Sequence, residues 1–394
     1  MIDYDKVLSK TAVEMKPSGI RKFFDIAQQI EGVISLSVGE PDFKTPWKVR
    51  QTAIDTLEKG KTVYTANAGL IELRREIAKY FKRTINLDYD PNNEIIVTVG
   101  GSEGIDNAIR TIVEPGDEVL IVEPCFVCYA PIVTLSGGTP VIIQTKAENE
   151  FRLTPEELKE KITDKTKLLV MPYPNNPTGA IMERKDLEAI AEVLRDTDIL
   201  VLSDEIYSEL TYTEKHCSIA EIDGMQERTI VINGFSKSFA MTGWRLGFMA
   251  GPKGIIKNCL KLHQYAIMSS PTTSQYAAIT ALKECTGDIV KMRDEYNMRR
   301  RYVVDAFNKL GLDCFTPQGA FYVFPCIKST GLPSDYFCEE LLYKKKVAVV
   351  PGTAFGECGE GYIRVSYAYS INHLKEAIKR IDEFLNELKG QNNG

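Results

Sequence analysis

From about residue 45 onward, short apolar runs alternate with stretches in which hydrophobic positions recur every three or four residues. The runs Glu94–Val99, Glu118–Val122, Pro140–Gln144, Lys167–Met171, Ile199–Ser203, Thr229–Asn233 and Leu246–Ala250 are short and rich in β-branched residues, so they read as buried strands. Between them, Thr45-Pro46 predicts a helix start, with Thr45 as the cap and Pro46 in the first turn, and Gly60 supplies the stop. Thr154-Pro155-Glu156-Glu157 predicts a capping box and a helix through about Lys161. Strands this apolar need helices over both faces, which predicts an α/β fold with a mostly parallel sheet. After about Ser270 the pattern changes. Long helical stretches over Thr273–Lys283 and Asp288–Leu310 lead to short strands at Phe321–Phe324, Val347–Val350 and Tyr362–Ser366, and then to an amphipathic helix from Asn372 to about Leu388. That order predicts a second, smaller α+β lobe.

Composition narrows the chemistry. The chain has 394 residues, 44% hydrophobic and 26% charged, the balance of a globular protein and not of a disordered or fibrous one. Its 48 basic and 54 acidic side chains give a formal charge of −6 with no basic stripe, so nucleic acid is not an expected partner. Nine cysteines without paired spacing argue against a secreted disulfide framework. The single close pair, Cys125 and Cys128, lacks the second pair or histidines of a zinc site. With three histidines, none in a ligating arrangement, no metal is expected. The acidic start Met1-Ile-Asp-Tyr-Asp is unlike a signal peptide, and no apolar run is long enough to span a bilayer, so a cytoplasmic location is expected.

In a doubly wound sheet, ligands bind beyond the carboxyl ends of the strands, and four strand ends carry polar clusters. Ile95–Val99 is followed by Gly100-Gly101-Ser102-Glu103-Gly104 and a helical pattern, which offers backbone N–H groups to an anion; a plain strand-to-helix turn would use the same glycines. Lys167–Met171 runs into Pro172-Tyr-Pro-Asn-Asn-Pro-Thr-Gly179, which a simple loop with a cis Asn176–Pro177 bond would also explain. Ile199–Ser203 ends in Asp204-Glu205-Ile206-Tyr207, where the acid is either functional or a helix cap. Thr229–Asn233 ends in Gly234-Phe-Ser-Lys237-Ser, with Arg245 eight residues beyond the lysine. Burial there would lower the lysine pKa and favour a nucleophilic amine.

Together these segments resemble the class I and II aminotransferases, fold-type I pyridoxal-phosphate enzymes, along essentially the whole chain. Gly234, Ser236, Lys237, Arg245 and Gly247 fit the family's lysine-attachment motif. In family order come Ser37-Val-Gly-Glu-Pro-Asp42, Tyr64, Gly101-Ser102, Asn176-Pro-Thr-Gly179, Asp204-x-x-Tyr207 and Tyr362-Ile-Arg364. The resemblance implies pyridoxal 5'-phosphate as cofactor, with Lys237 forming the Schiff base and Asp204 holding the pyridine nitrogen as a cation. It implies that Asn176 and Tyr207 bond the ring oxygen and that Phe126 stacks on the ring, an ordinary core aromatic being the plainer reading of Phe126. The phosphate would be met by the Gly101-Ser102-Glu103 backbone, the Ser236 hydroxyl and the Arg245 fork. Gly234 departs from the hydroxylated residue that many relatives carry. Tyr64 resembles the tyrosine that crosses to the partner's phosphate, which implies a homodimer. Arg364 would grip the substrate carboxylate, aided by the Gly39 backbone and the Asn176 amide. The resemblance also implies a large cofactor domain over residues 46–290 and a small domain from 1–45 and 291–394.

The implied reaction is ping-pong transamination from an L-amino acid of the aspartate, aromatic or N-acetyl-diaminopimelate type to a 2-oxo acid, 2-oxoglutarate being the expected acceptor. A β-elimination carbon–sulfur lyase of the same fold is the alternative. A DNA-binding regulator is disfavoured, because residues 1–45 are too few for a recognition head and carry no basic helix. A dinucleotide dehydrogenase lacks its GxGxxG. Arg21 is a candidate partner for a distal substrate carboxylate or a solvated charge.

Overall fold

The computed structural model describes residues 2–17, 19, 26 and 29–392. Among the described residues twelve strands form, in chain order: β1 (Ile34–Ser35), β2 (Ile95–Thr98), β3 (Glu118–Glu123), β4 (Thr139–Gln144), β5 (Thr166–Met171), β6 (Leu200–Asp204), β7 (Thr229–Gly234), β8 (Gly247–Ala250), β9 (Tyr322–Val323), β10 (Val347–Ala348), β11 (Val350–Pro351) and β12 (Ile363–Ser366). Strands β2 to β8 correspond to the seven apolar runs and build one sheet in the order β2-β8-β7-β6-β5-β3-β4. All its neighbours pair in parallel except β8, which is antiparallel to both β2 and β7.

The pleat explains why these strands carry no polar face. Along β7, Ile230 and Ile232 enter one core while Val231 enters another, and along β5 Leu168 and Val170 part in the same way from Leu169 and Met171. Helices such as Gly100–Ile112, Arg184–Leu194 and Thr272–Glu284 bring the apolar residues that close these cores. A further core gathers around Phe307, Phe321, Phe337 and Phe384. There the three-stranded antiparallel sheet β11-β12-β9 lies with helices Ser334–Lys345 and Ile371–Asn392. Strand β1 pairs with β10, which joins the amino-terminal segment to this layer.

The predicted capping box is present. The Glu157 N–H donates to Thr154 Oγ1 at 3.3 Å, the Thr154 N–H donates to the Glu157 carboxylate at 3.0 Å, and the helix spans Pro155–Lys161. Thr45 does not cap a helix. The helix there is Trp47–Glu58 with Pro46 in the cap position, and the Thr45 hydroxyl instead donates to the Ala240 carbonyl at 2.6 Å and accepts from Trp244 Nε1 at 3.0 Å. The run Val347–Val350 splits in two, because β10 pairs with β1 whereas β11 pairs with β12. The cis bonds precede Pro124 and Pro174, not Pro177. Among the described residues no helix is long and apolar enough to cross a membrane.

Candidate active site

The carboxyl ends of β2, β3, β5, β6 and β7 open onto a cavity of about 640 Å³. Lys237, Asp204, Asn176, Tyr207, Ser236, Phe126, Gly101, Ser102, Arg245, Gly39 and Arg364 all line it. The last two arrive from outside the central sheet, Arg364 on β12 and Gly39 four residues beyond β1. Residues scattered over more than 300 positions are thus brought to one wall by topology.

One end of the cavity is built for an anion. The helix Gly100–Ile112 starts directly after β2, where its first-turn N–H groups have no partner inside the helix. Backbone packing there is tight enough to demand glycine. Gly100 has φ +74°, and a Cβ on it would lie 2.7 Å from the Arg245 guanidinium; one on Gly247 would lie 2.6 Å from the Gly100 carbonyl carbon. Arg245 itself takes a left-handed conformation and donates to the Thr242 carbonyl at 3.0 Å. Gly234 is tight as well: a Cβ would press on Gly247 Cα at 3.0 Å and Ile206 Cδ1 at 3.1 Å, leaving poor room for a hydroxylated side chain.

At the centre, the Lys237 ammonium donates to the Gly39 carbonyl at 2.6 Å. Burial lowers its pKa to about 8; Arg364 and Arg245 act in the same direction, and Glu40 and Asp204 oppose it. Asp204 ends β6 and is buried, which raises its pKa. Its two oxygens are nevertheless held, Oδ2 by the Tyr129 hydroxyl at 2.7 Å and Oδ1 by the Ile206 N–H at 3.2 Å, and both bonds favour the carboxylate.

At the far end, Arg364 is buried and donates through Nη1 to Asn176 Oδ1 at 3.0 Å and through Nη2 to the Ser37 carbonyl. Its Nε has no hydrogen-bond partner among the described residues. The guanidinium lies over the rings of Tyr322 and Phe355, at 4.6 and 4.8 Å from their centroids. A buried cation with an unmet donor is poised for an anionic ligand.

Two predicted residues stand apart from this cavity. The Glu103 carboxylate accepts from the Val99 N–H at 3.1 Å and Asn107 Nδ2 at 3.3 Å, and lies 3.2 Å from His263 Nδ1. Tyr64 is 80% exposed and does not line its own chain's cavity. Arg21 lies outside the described residues. Sequence reasoning missed Tyr129, Tyr322 and Thr242, which also line the cavity. Tyr129 had a weak signal, standing three residues after Phe126 at the start of the helix Tyr129–Leu135. Tyr322 had none, because only the register shows it: Ser366 faces Tyr322 across β12 and β9, so Arg364 is its diagonal neighbour on the same face.

Residues 31–381 match the family described as aminotransferase class I and II. The chain is 49% identical over 378 residues to an aspartate aminotransferase of Pyrococcus abyssi, covering 95% of this chain and 97% of that one. It is 47% identical over 385 residues to aromatic-amino-acid aminotransferase 2 of Thermococcus litoralis, covering 97% and 99%. Among solved structures, an aspartate aminotransferase from Thermus thermophilus with maleate superposes with a TM-score of 0.91 at 38% identity, covering 95% of this chain and 99% of that one.

Proposed function

The chain belongs to the class I and II aminotransferases, which depend on pyridoxal 5'-phosphate, and from that premise we propose that the cavity around Lys237 moves the amino group of an aromatic L-amino acid to 2-oxoglutarate. One observation carries the reading: a single cavity of about 640 Å³ gathers a lysine of lowered pKa, a buried carboxylate and two arginines. The same residues fit the cofactor. Gly100 and Gly247 leave a cradle that a Cβ would fill, the helix start and the Arg245 guanidinium suit a phosphate dianion, and Asp204 suits a pyridinium.

In this reading Gly101, Ser102, Glu103 (through its backbone), Ser236 and Arg245 hold the phosphate, and Asp204 holds the ring nitrogen. Asn176 and Tyr207 bond the ring oxygen, and Phe126 lies against the ring. When bound, the cofactor supplies the electron sink for deprotonating a substrate α-carbon and carries the amino group between half-reactions. Arg364, with Asn176 and Gly39, fixes the substrate carboxylate and so the orientation of the α-carbon. Lys237, with its pKa near 8, takes the α-proton and returns it as a general acid. The Arg364 layer and the Gly39 segment together exclude water.

The donor class is supported by the wall formed by Val38, Phe126, Val127, Pro172, Pro174 and Tyr322, which is apolar or aromatic. Lys237, Arg245 and Arg364 are the cations among the described lining residues, and each already has a task. We assign the distal carboxylate of 2-oxoglutarate to Arg21, the candidate the sequence offered, which lies outside the described residues. The unit is a homodimer in this reading. Val63, Tyr64, Tyr265 and Met268 are 74%, 80%, 88% and 47% exposed, and the bonds from Thr272 Oγ1 to the Val63 carbonyl and from Asn67 Nδ2 to the Met268 carbonyl join their segments into one apolar patch. Tyr64 reaches the partner's phosphate from there. We divide each subunit into a large domain (46–290) and a small one (1–45 and 291–394), whose boundary falls within the helix Thr286–Lys309. Nine free thiols suit a reducing cytoplasm.

The test is direct. Purified protein loaded with pyridoxal 5'-phosphate should form glutamate from 2-oxoglutarate with L-tyrosine or L-phenylalanine faster than with L-aspartate, and Lys237→Ala should abolish the reaction. Preference for aspartate refutes the donor assignment, and pyruvate release from cystathionine without transfer refutes the reaction.

A further inference from the structure

The hydroxyls of Tyr207 and Tyr322 lie 2.7 Å apart in a buried setting. A phenol has one hydrogen to donate and lone pairs with which to accept. If Tyr207 gives its hydrogen to the cofactor ring oxygen, only Tyr322 is left to donate across the contact they share. The face of Tyr322 in turn carries the Arg364 guanidinium, 4.6 Å from the ring centroid. Tyr322 also reaches the amino-terminal segment, since a Cβ on Gly39 would collide with its hydroxyl. One side chain therefore touches the group set to capture the substrate carboxylate, the group set to hold the ring oxygen, and the backbone that receives the Lys237 amine.

We propose that Tyr322 is a positioning residue that relays the capture of a carboxylate at Arg364 to the hydrogen bond that Tyr207 gives the cofactor. The relay rests on the roles assigned above to Lys237, Tyr207 and Arg364. With Arg364 unpaired, its charge polarises the Tyr322 ring and strengthens that phenol as a donor to Tyr207, which becomes the stronger donor in its turn. A carboxylate on Arg364 neutralises the charge. Both donors weaken, negative charge on the ring oxygen is less well held, and the nitrogen that Lys237 shares with the cofactor keeps its proton to higher pH. Substrate capture thereby changes the protonation state where the chemistry starts. Arg364 also acts on Lys237 directly through space, beside Arg245, Glu40 and Asp204, and reaches the ring oxygen through its bond to Asn176, and neither part depends on Tyr322.

Visible-absorbance pH titrations of the holoenzyme, with and without saturating maleate, measure the relay. Maleate carries carboxylates but no amino group to transfer. It should raise the titration midpoint of the wild type, and Tyr322→Phe, which keeps the ring over which Arg364 lies, should lose more than half of that rise while still binding maleate. In a Tyr207→Phe background, Tyr322→Phe should change nothing further. No rise in the wild type, a rise in Tyr322→Phe more than half that of the wild type, or a further loss in the double variant overturns the relay and leaves the transaminase reading standing. Cofactor that borohydride still fixes covalently to the Lys237→Ala chain overturns both.

Discussion

The Tyr129 hydroxyl donates to Asp204 Oδ2 across 2.7 Å, and this bond offsets part of the cost of burying a carboxylate at the end of a central strand. Tyr129→Phe leaves that oxygen unpaired, a loss of about 1–3 kcal/mol. The Asp204 carboxyl should then rise further in pKa and hold the pyridinium less well. Equilibrium dialysis should show pyridoxal 5'-phosphate bound about tenfold more weakly, a factor equivalent to about 1.4 kcal/mol. Unchanged affinity would mean that Tyr129 is only a packing residue.

Lys237 gives the cofactor-free protein a definite pH signature. Its folded pKa of about 8 lies below the ordinary lysine value of 10.5, so between these two values the unfolded chain holds a proton that the folded chain does not. Stability therefore rises with pH across that window, and the penalty for burying the ammonium is fully present below pH 8. The effect is on the order of 3 kcal/mol. Urea melts of the apoprotein should show the rise, and Lys237→Met should lack it.

Gly100→Ala tests the phosphate cradle without replacing a polar side chain. The new methyl group meets both an unfavourable left-handed backbone, costing about 1–2 kcal/mol, and the Arg245 guanidinium. Weaker cofactor retention on gel filtration and a lower thermal midpoint are expected together.

Tyr64 is checked by subunit mixing. Neither Lys237→Ala nor Tyr64→Ala should be active alone, yet a mixed dimer holds one intact site if Tyr64 serves the partner. Random reassociation should restore about a quarter of the wild-type rate, because half of the dimers are mixed and each has one working site. If Tyr64 serves its own chain, mixing restores nothing.

Arg21→Ala should raise KM for 2-oxoglutarate at least tenfold while leaving KM for L-tyrosine within twofold, a split read from steady-state kinetics. Equal effects on both substrates would point to a role in folding or closure.

What was legible in the sequence followed from how locally each feature is encoded. Apart from the edge strand β4, which is partly exposed, the strands of the main sheet are buried on both faces, so their β-branched runs stand out without knowledge of their neighbours. Lys237, Asp204 and Asn176 stand at or just beyond the ends of such strands, but it was the family resemblance that singled them out there. Thr45 misled because its hydroxyl had a better use 195 residues away than at the adjacent helix. Tyr129 and Tyr322 went unnoticed for the same reason, since their partners lie 75 and 115 residues distant. Val347–Val350 looked like one strand, and only its two different partners divide it.

Thr45 also bears on how this chain can be recombined with its relatives. Its hydroxyl sews the segment after Gly39 to the loop between Lys237 and Arg245, donating to Ala240 and accepting from Trp244. A chimera that imports a foreign amino-terminal segment to change specificity would therefore put its seam across this stitch. Crossovers that carry residues 34–46 and 236–247 from the same parent should yield soluble, cofactor-loaded chimeras more often than those that separate them, which makes the two stretches one unit of inheritance despite their distance along the gene.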